Sequence, residues 1–214
     1  MANGCNCPKS TAIGDVDPTT CPEDLGQLQR VAFIRAGQLK FDTVTPANNI
    51  PATISTDLVT EEAAYKTLKL ATDDTHLVFL PLFGGDPIST PGDENTFGGN
   101  DNSTLNGAVY HEGFNPDTFT ARFDQLTAQQ TAQIRELKCE DLEVIFVNDE
   151  GKIIFLRDGD NLQGFPLASV PTLAGRNVNG FGARDGNAFK FQLFHGWDAK
   201  FEKVIPTDFN ALTF

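Results

Sequence analysis

The chain has 214 residues, 40% of them hydrophobic and 21% charged, with a formal net charge of −13. That is enough material for one sizeable core. The charge disfavours gripping a nucleic-acid backbone, which needs Lys and Arg to displace counterions, and the longest apolar run, 77–83, is interrupted by Pro81 and too short to span a bilayer.

The N-terminus, MANGCNCPKSTAIGDVDP, has no basic region followed by an apolar stretch, so it does not read as a secretory signal. Residues 1–24 read as an irregular arm and 25–214 as one β-rich domain. Cys5, Cys7, Cys21 and Cys139 are the only cysteines. Free thiols, a disulfide, or a metal site completed by Cys139 from elsewhere in the fold all remain open. The composition holds 18 Phe against 2 Tyr, 1 Trp and 1 Met, with 19 Gly and 12 Pro. Phe favours strands and brings a large burial term, so this bias predicts β structure with many turns.

In chain order, 28–34 (LQRVAFI) reads as a strand closed by Ala36-Gly37, and 46–51 as a turn. Residues 60–66 (TEEAAYK) read as a short helix with Thr60 as its N-cap and acids in the first turn. The apolar pieces 68–70 and 77–83, separated by Thr72-Asp73-Asp74-Thr75, predict a hairpin. Residues 84–117 follow, an arm rich in Gly, Pro, Asn and Asp that holds six acids (Asp86, Asp93, Glu94, Asp101, Glu112, Asp117) and no Lys or Arg. A segment this long without obvious structure is usually functional or disordered. Its aromatic residues, Phe97, Tyr110 and Phe114, either pin it to its own domain or anchor it on a neighbour.

Residues 126–138 carry the best helical pattern. Thr127 and Gln130 form a capping-box pattern, and Leu126, Ile134 and Leu137 share one face. Residues 142–147 and 152–157, joined by Asn148-Asp149-Glu150-Gly151, predict a β-hairpin apolar on both faces. Val144 and Phe146 lie on one side and Ile145 and Val147 on the other, so both sides need cover. Residues 161–186 read as turns around Pro166, Pro171 and Gly175. Residues 188–194 alternate cleanly, with Phe189, Phe191 and Leu193 inward, and 200–205 is expected to return antiparallel beside them, with Phe201 and Ile205 inward. Phe209, Leu212 and Phe214 in the tail need a core or a neighbour to dock on. The fold class expected is mainly β: an antiparallel sandwich or partly open barrel with one packed helix and a long inserted arm.

No catalytic constellation is visible. G-x-S-x-G, H-E-x-x-H, the P-loop and a complete EF-hand loop are absent, and His76, His111 and His195 are far apart in sequence. His76 and His195 read as structural, and His111, in the arm, as a contact residue. The acidic pairs Asp15/Asp17, Asp73/Asp74 and Asp158/Asp160 lack the spacing of a calcium loop and read as turns. Residues 98–102 (GGNDN) match a calcium-binding repeat that works only in arrays. No catalytic residue, metal ligand or cofactor is assigned.

The order of elements resembles that of the tail-tube proteins of long-tailed bacteriophages. The resemblance rests on the helix 127–138, the hairpin 142–157 and the strands 188–205, with the arm 84–117 in the place of the stacking loop, and it covers about two-thirds of the chain. It implies a non-enzymatic, self-assembling virion protein made in the host cytoplasm, forming rings that stack into a tube. Its partners would be copies of itself and other virion proteins, with DNA as passing cargo and no membrane. Subunit contacts would fall on Phe97, Tyr110, Phe114, Phe209 and Phe214. The alternative is a capsid decoration or surface carbohydrate- or protein-binding sandwich, using Trp197 beside His195 and Asp198 as an exposed platform.

Overall fold

The structure is a computed structural model that describes residues 25–42, 52–55, 59–99, 104–178, 180, 182 and 184–214. The irregular arm expected over 1–24, the turn at 46–51, the pair Asp15/Asp17 and most of the 98–102 repeat lie outside the described residues.

Among the described residues, two packed sheets, a separate two-stranded hairpin and two α-helices make the architecture. The strands are β1 (Leu28–Arg35), β2 (Leu39–Asp42), β3 (Ala52–Ser55), β4 (Val78–Phe79), β5 (Ile88–Thr90), β6 (Glu94–Gly98), β7 (Val109–Phe114), β8 (Asp117–Asp124), β9 (Leu142–Asn148), β10 (Ile153–Asp158), β11 (Asn161–Gln163), β12 (Phe165–Asn177), β13 (Gly186–Leu193) and β14 (Phe201–Val204). The helices are α1 (Glu62–Leu70) and α2 (Ala128–Glu136). The central sheet is built on β9, which lies between β1 and the β10–β12 segment, and β10 carries β14 on its other side. All these pairings are antiparallel; the β2–β3 pair at the margin is parallel. The second sheet runs β12-β13-β8-β5. β12 belongs to both sheets: Phe165 and Pro166 pair with β9, and the rest of the strand pairs with β13. The pair of sheets is an open sandwich hinged on that strand, not a closed barrel.

The central sheet is apolar on both faces, and each face has its own cover. Toward the second sheet, Val31, Phe33, Val144, Phe146 and Ile154 meet Phe119, Phe123, Phe189, Phe191 and the α2 side chain Ile134. On the opposite face, Ala32, Ile34, Ile145, Val147, Ile153 and Phe155 meet Tyr65 and Leu68 of α1 and the tail residues Phe209, Leu212 and Phe214. Helix α2 and the second sheet therefore cover the same face, and α1 with the tail covers the other. The Phe bias has its reason here. Phe33, Phe119, Phe123, Phe146, Phe165, Phe189 and Phe191 are all fully buried in one cluster, each worth about 1.5–3 kcal/mol of burial. Edge and stacked contacts add to it, as between Phe33 and Phe191 (5.7 Å, 84°) and between Phe119 and Phe191 (4.7 Å, 27°).

The β9–β10 hairpin forms with the turn expected, pairing Ile153 with Val147 and Ile154 with Phe146. Gly151 has φ 77°, and Asn148 Oδ1 accepts from the backbone N–H groups of Glu150 and Lys152. Thr127 and Gln130 make the full capping box of α2. Four expectations change. Residues 68–70 end α1 rather than forming a strand, because Leu68 falls one helical turn after Tyr65 and buries beside it. The N-cap of α1 is Glu61, not Thr60. Pro166 and Pro171 lie inside one 13-residue strand: Pro166 is in register with Glu143 of β9, next to the point where the strand passes to β13, and Pro171 falls within a register shift of the β12–β13 pair. Finally, β13 and β14 do not pair: a 3-10 turn over Trp197–Lys200 carries the chain from the second sheet to the central one, where β14 pairs with β10 and Ile205 is exposed.

Candidate functional site

The feature left over after both cores are built is the arm. It is not structureless. β5 adds three residues to the edge of β8, and the chain then leaves the body as a hairpin of β6 and β7, which among the described residues pair only with each other. Every residue of β7 is exposed, as are all of β6 but Gly98. Phe97 stands directly opposite Tyr110, and Glu94 opposite Phe114, with a bulge between them. Phe97 is 48% exposed, Val109 54% and Phe114 51%. A lone two-stranded hairpin is marginally stable in water, and this one holds Phe97, Val109 and Tyr110 exposed.

Its base is fixed to the body. Gly92 N–H donates to the buried carboxylate of Asp117 (3.0 Å), and Asn115 N–H donates to the Asp93 carbonyl (2.9 Å). A Cβ on Gly92 would sit 2.0 Å from the Asn115 carbonyl oxygen, so only glycine permits this crossing. Asp117 also lies 3.3 Å from His195 Nδ1, and the Phe114 ring stacks on His195 with centroids 4.0 Å apart. Within the arm, His111 Nδ1 contacts Glu94 Oε1, and Asn95 Nδ2 donates to Asn115 Oδ1. Of the six acids in 84–117, Glu94 and Glu112 are exposed on the hairpin strands, whereas Asp117 is buried at the root.

The other flagged residues fall elsewhere. Phe209 and Phe214 dock on the chain's own core: Phe209 packs on Tyr65 (5.1 Å), Phe214 on Phe79 (5.3 Å), and the two on each other (5.2 Å). Both rings are only partly buried there. Trp197 is half-buried, edge-on to Phe165 (5.4 Å, 88°) and against Phe146 (5.4 Å), so it closes the inter-sheet core rather than offering a flat exposed ring. His76 Nδ1 lies 2.7 Å from the Ala71 carbonyl oxygen. Asp73 accepts from the backbone and hydroxyl of Thr75, which holds its carboxyl below the usual carboxylate range; the hydroxyl bond is the larger cause. Asp158 and Asp160 flank the Gly159 turn between β10 and β11. Cys139 is exposed just after α2, and the other three cysteines lie outside the described residues.

Two features have no counterpart in the sequence reading. A groove of about 740 Å³ between α2 and the β1–β4 edge is lined by Phe33, Leu80, Ile134 and Leu137 and by Arg35, which pairs with both Asp74 and Glu140. Arg30 is half-buried, and among the described residues it makes no salt bridge to an Asp or Glu side chain. Its Nε donates to the Leu80 carbonyl (2.6 Å) and its Nη1 to the carbonyls of Ala211, Leu212 and Phe214, so it ties the tail to the central sheet. An Arg placed directly before the buried apolar run 31–34 of β1 is the signal for it. Among the described residues, no group of three or more His, Cys, Asp and Glu side chains is placed to hold a metal, and no helix is long and apolar enough to cross a membrane.

The chain matches no family model and no curated protein. The functional reading therefore rests on the geometry of the chain itself and on the order of its elements.

Proposed function

We propose that this protein is a structural subunit that assembles with copies of itself, in the manner of phage tail-tube proteins, and that the β6–β7 hairpin is its assembly arm. The observation that carries the reading is the arm itself: a hairpin that among the described residues pairs with no other strand, anchored at its base through Asp117, His195 and Phe114, with Phe97 and Tyr110 held out on it. A structure that fixes a hairpin at its root and leaves its faces bare gives it something to bind. The role proposed is non-enzymatic, in a virion, after synthesis in a host cytoplasm. The net charge of −13 is compatible with a conduit past which DNA moves without sticking.

The carbohydrate-binding alternative relied on an exposed Trp197. That ring packs on Phe146 and Phe165, so no specific observation favours it. Sedimentation velocity on purified protein over a wide concentration range tests the proposal. Concentration-dependent growth into large species supports it, and a single monomer peak at every concentration and salt contradicts it.

A further inference from the structure

One buried carboxyl group belongs neither to the arm nor to the apolar cores. Glu143 of β9 is 8% exposed. Its register partners are Ile34 of β1 on one side and Pro166 of β12 on the other. Its Oε1 accepts from Gly37 N–H in the β1–β2 connection. Gly164, at the corner between β11 and β12, also lies against it: a Cβ there would come within 2.6 Å of the Glu143 Cβ and 3.1 Å of Oε2. One side chain therefore touches both the β1–β2 turn and the corner from which β12 sets out to join the two sheets. Its Oε2 is buried and, among the described residues, has no hydrogen-bond partner. Gln38 Oε1, in the same connection as Gly37, is a second buried acceptor without a donor.

A buried oxygen with no donor is costly when it carries charge, whereas a protonated carboxyl is neutral and is itself a donor. The charged groups on the surrounding elements do not offset that cost. Arg35 of β1 is engaged with Asp74 and Glu140. Lys40 of β2 alternates with Leu39 and Phe41, which are the buried residues of that strand. Residues 161–175 carry no charged side chain. Burial acts most strongly on Glu143 and the nearby Asp141 adds to it; both favour the neutral acid, against the N–H groups of Gly37 and Gly164.

We infer that Glu143 is a proton-operated latch: as the neutral acid it holds the β1–β2 turn and the β11–β12 corner closed on β9, and when its proton passes to water both open to hydrate the carboxylate. The inference is independent of the self-assembly reading. The closed form binds the proton more tightly than the open form. Opening therefore becomes easier by up to about tenfold per pH unit between about pH 4.3 and the raised value of the closed form, and levels off above it.

Amide hydrogen exchange on the full chain, followed from about pH 4 to pH 8 and corrected for intrinsic rates with the unfolded chain, tests the latch. Segments 36–42 and 161–167 should lose protection severalfold as pH rises, and α2 should not. Glu143→Gln keeps the acceptor for Gly37 N–H and has an N–H where the acid has its O–H, so the two segments should stay protected in it. Protection that is flat with pH in the wild type, or that falls equally in the variant, would overturn the latch. If the variant does not fold, carbon-13 NMR of the wild-type glutamate carboxyls decides. A carboxyl titrating above about pH 4.3, in step with exchange in the two segments, supports the latch; glutamates that all titrate at or below that pH overturn it.

Discussion

Phe114 lies almost flat on His195, with ring centroids 4.0 Å apart and planes 13° from parallel. One residue ends the arm and the other follows β13, so the stack fixes where the arm leaves the body. Phe114→Ala should loosen the arm without unfolding the domain. The expected global loss is about 0.5–1.5 kcal/mol, with faster amide exchange confined to β6 and β7. Exchange unchanged in the arm would show that the Gly92–Asp117 contact fixes it alone.

Arg30 reaches four backbone carbonyls and has Phe79 5.0 Å from its guanidinium. Hydrogen bonds from a charged donor are the stronger kind, so Arg30→Met should cost about 2–3 kcal/mol in urea unfolding and expose the tail to carboxypeptidase. A loss below about 0.5 kcal/mol would mean that the aromatic contacts of Phe209 and Phe214 suffice to hold the tail.

Core and arm aromatics should respond in opposite ways. Phe191→Ala, in the inter-sheet cluster, should cost about 3–5 kcal/mol. Phe97→Ala should change the stability of the isolated chain by less than about 0.5 kcal/mol yet weaken self-association. Equal effects on stability would remove the distinction between a built core and a waiting surface.

Glu143 is buried on β9 and accepts a hydrogen bond from Gly37 N–H at 2.9 Å. Burial, the largest cause, raises its pKa above the ordinary carboxylate value. The folded state therefore holds this proton more tightly than the unfolded chain does. The stability it contributes is fully present below about pH 4.3 and is lost as pH rises through the raised folded value. Glu143→Gln removes that loss. Its melting temperature relative to the parent should climb as pH goes from about 4 to 7. A constant difference across that range would contradict the assignment. Taking the difference also removes the opposite trend from Asp73, Glu140 and Glu150, whose lowered values make stability fall with acid.

The parts of the fold legible in the sequence are those where one local pattern decides. The β9–β10 hairpin is one, because its apolar residues fill both faces and Asn148 to Gly151 can only turn. The capping box of α2 is another. The misread parts are decided by distant partners. β13 and β14 adjoin in sequence across a short turn, which favours a hairpin; β8 and β12 instead take both edges of β13, and β10 takes β14. Pro166 and Pro171 look like strand breakers, yet Pro166 sits where β12 leaves β9 and Pro171 within a register shift. The arm was legible as an insertion because it is long and acidic, but not as strands, since β6 and β7 have no buried face to impose alternation. Phe209 and Phe214 announced a need for cover, and only the fold reveals that α1 supplies it.

The central claim is that the arm joins copies of this chain. Asp93 and Asn115 are already hydrogen-bonded across its root, so residues 94–114 can be replaced by an Asn-Gly turn without disturbing β5 or β8. Negative-stain electron microscopy of this protein beside the wild type is the direct test. The account predicts rings, tubes or filaments from the wild type and dispersed single particles from the shortened, folded chain. Identical polymers from both would contradict it.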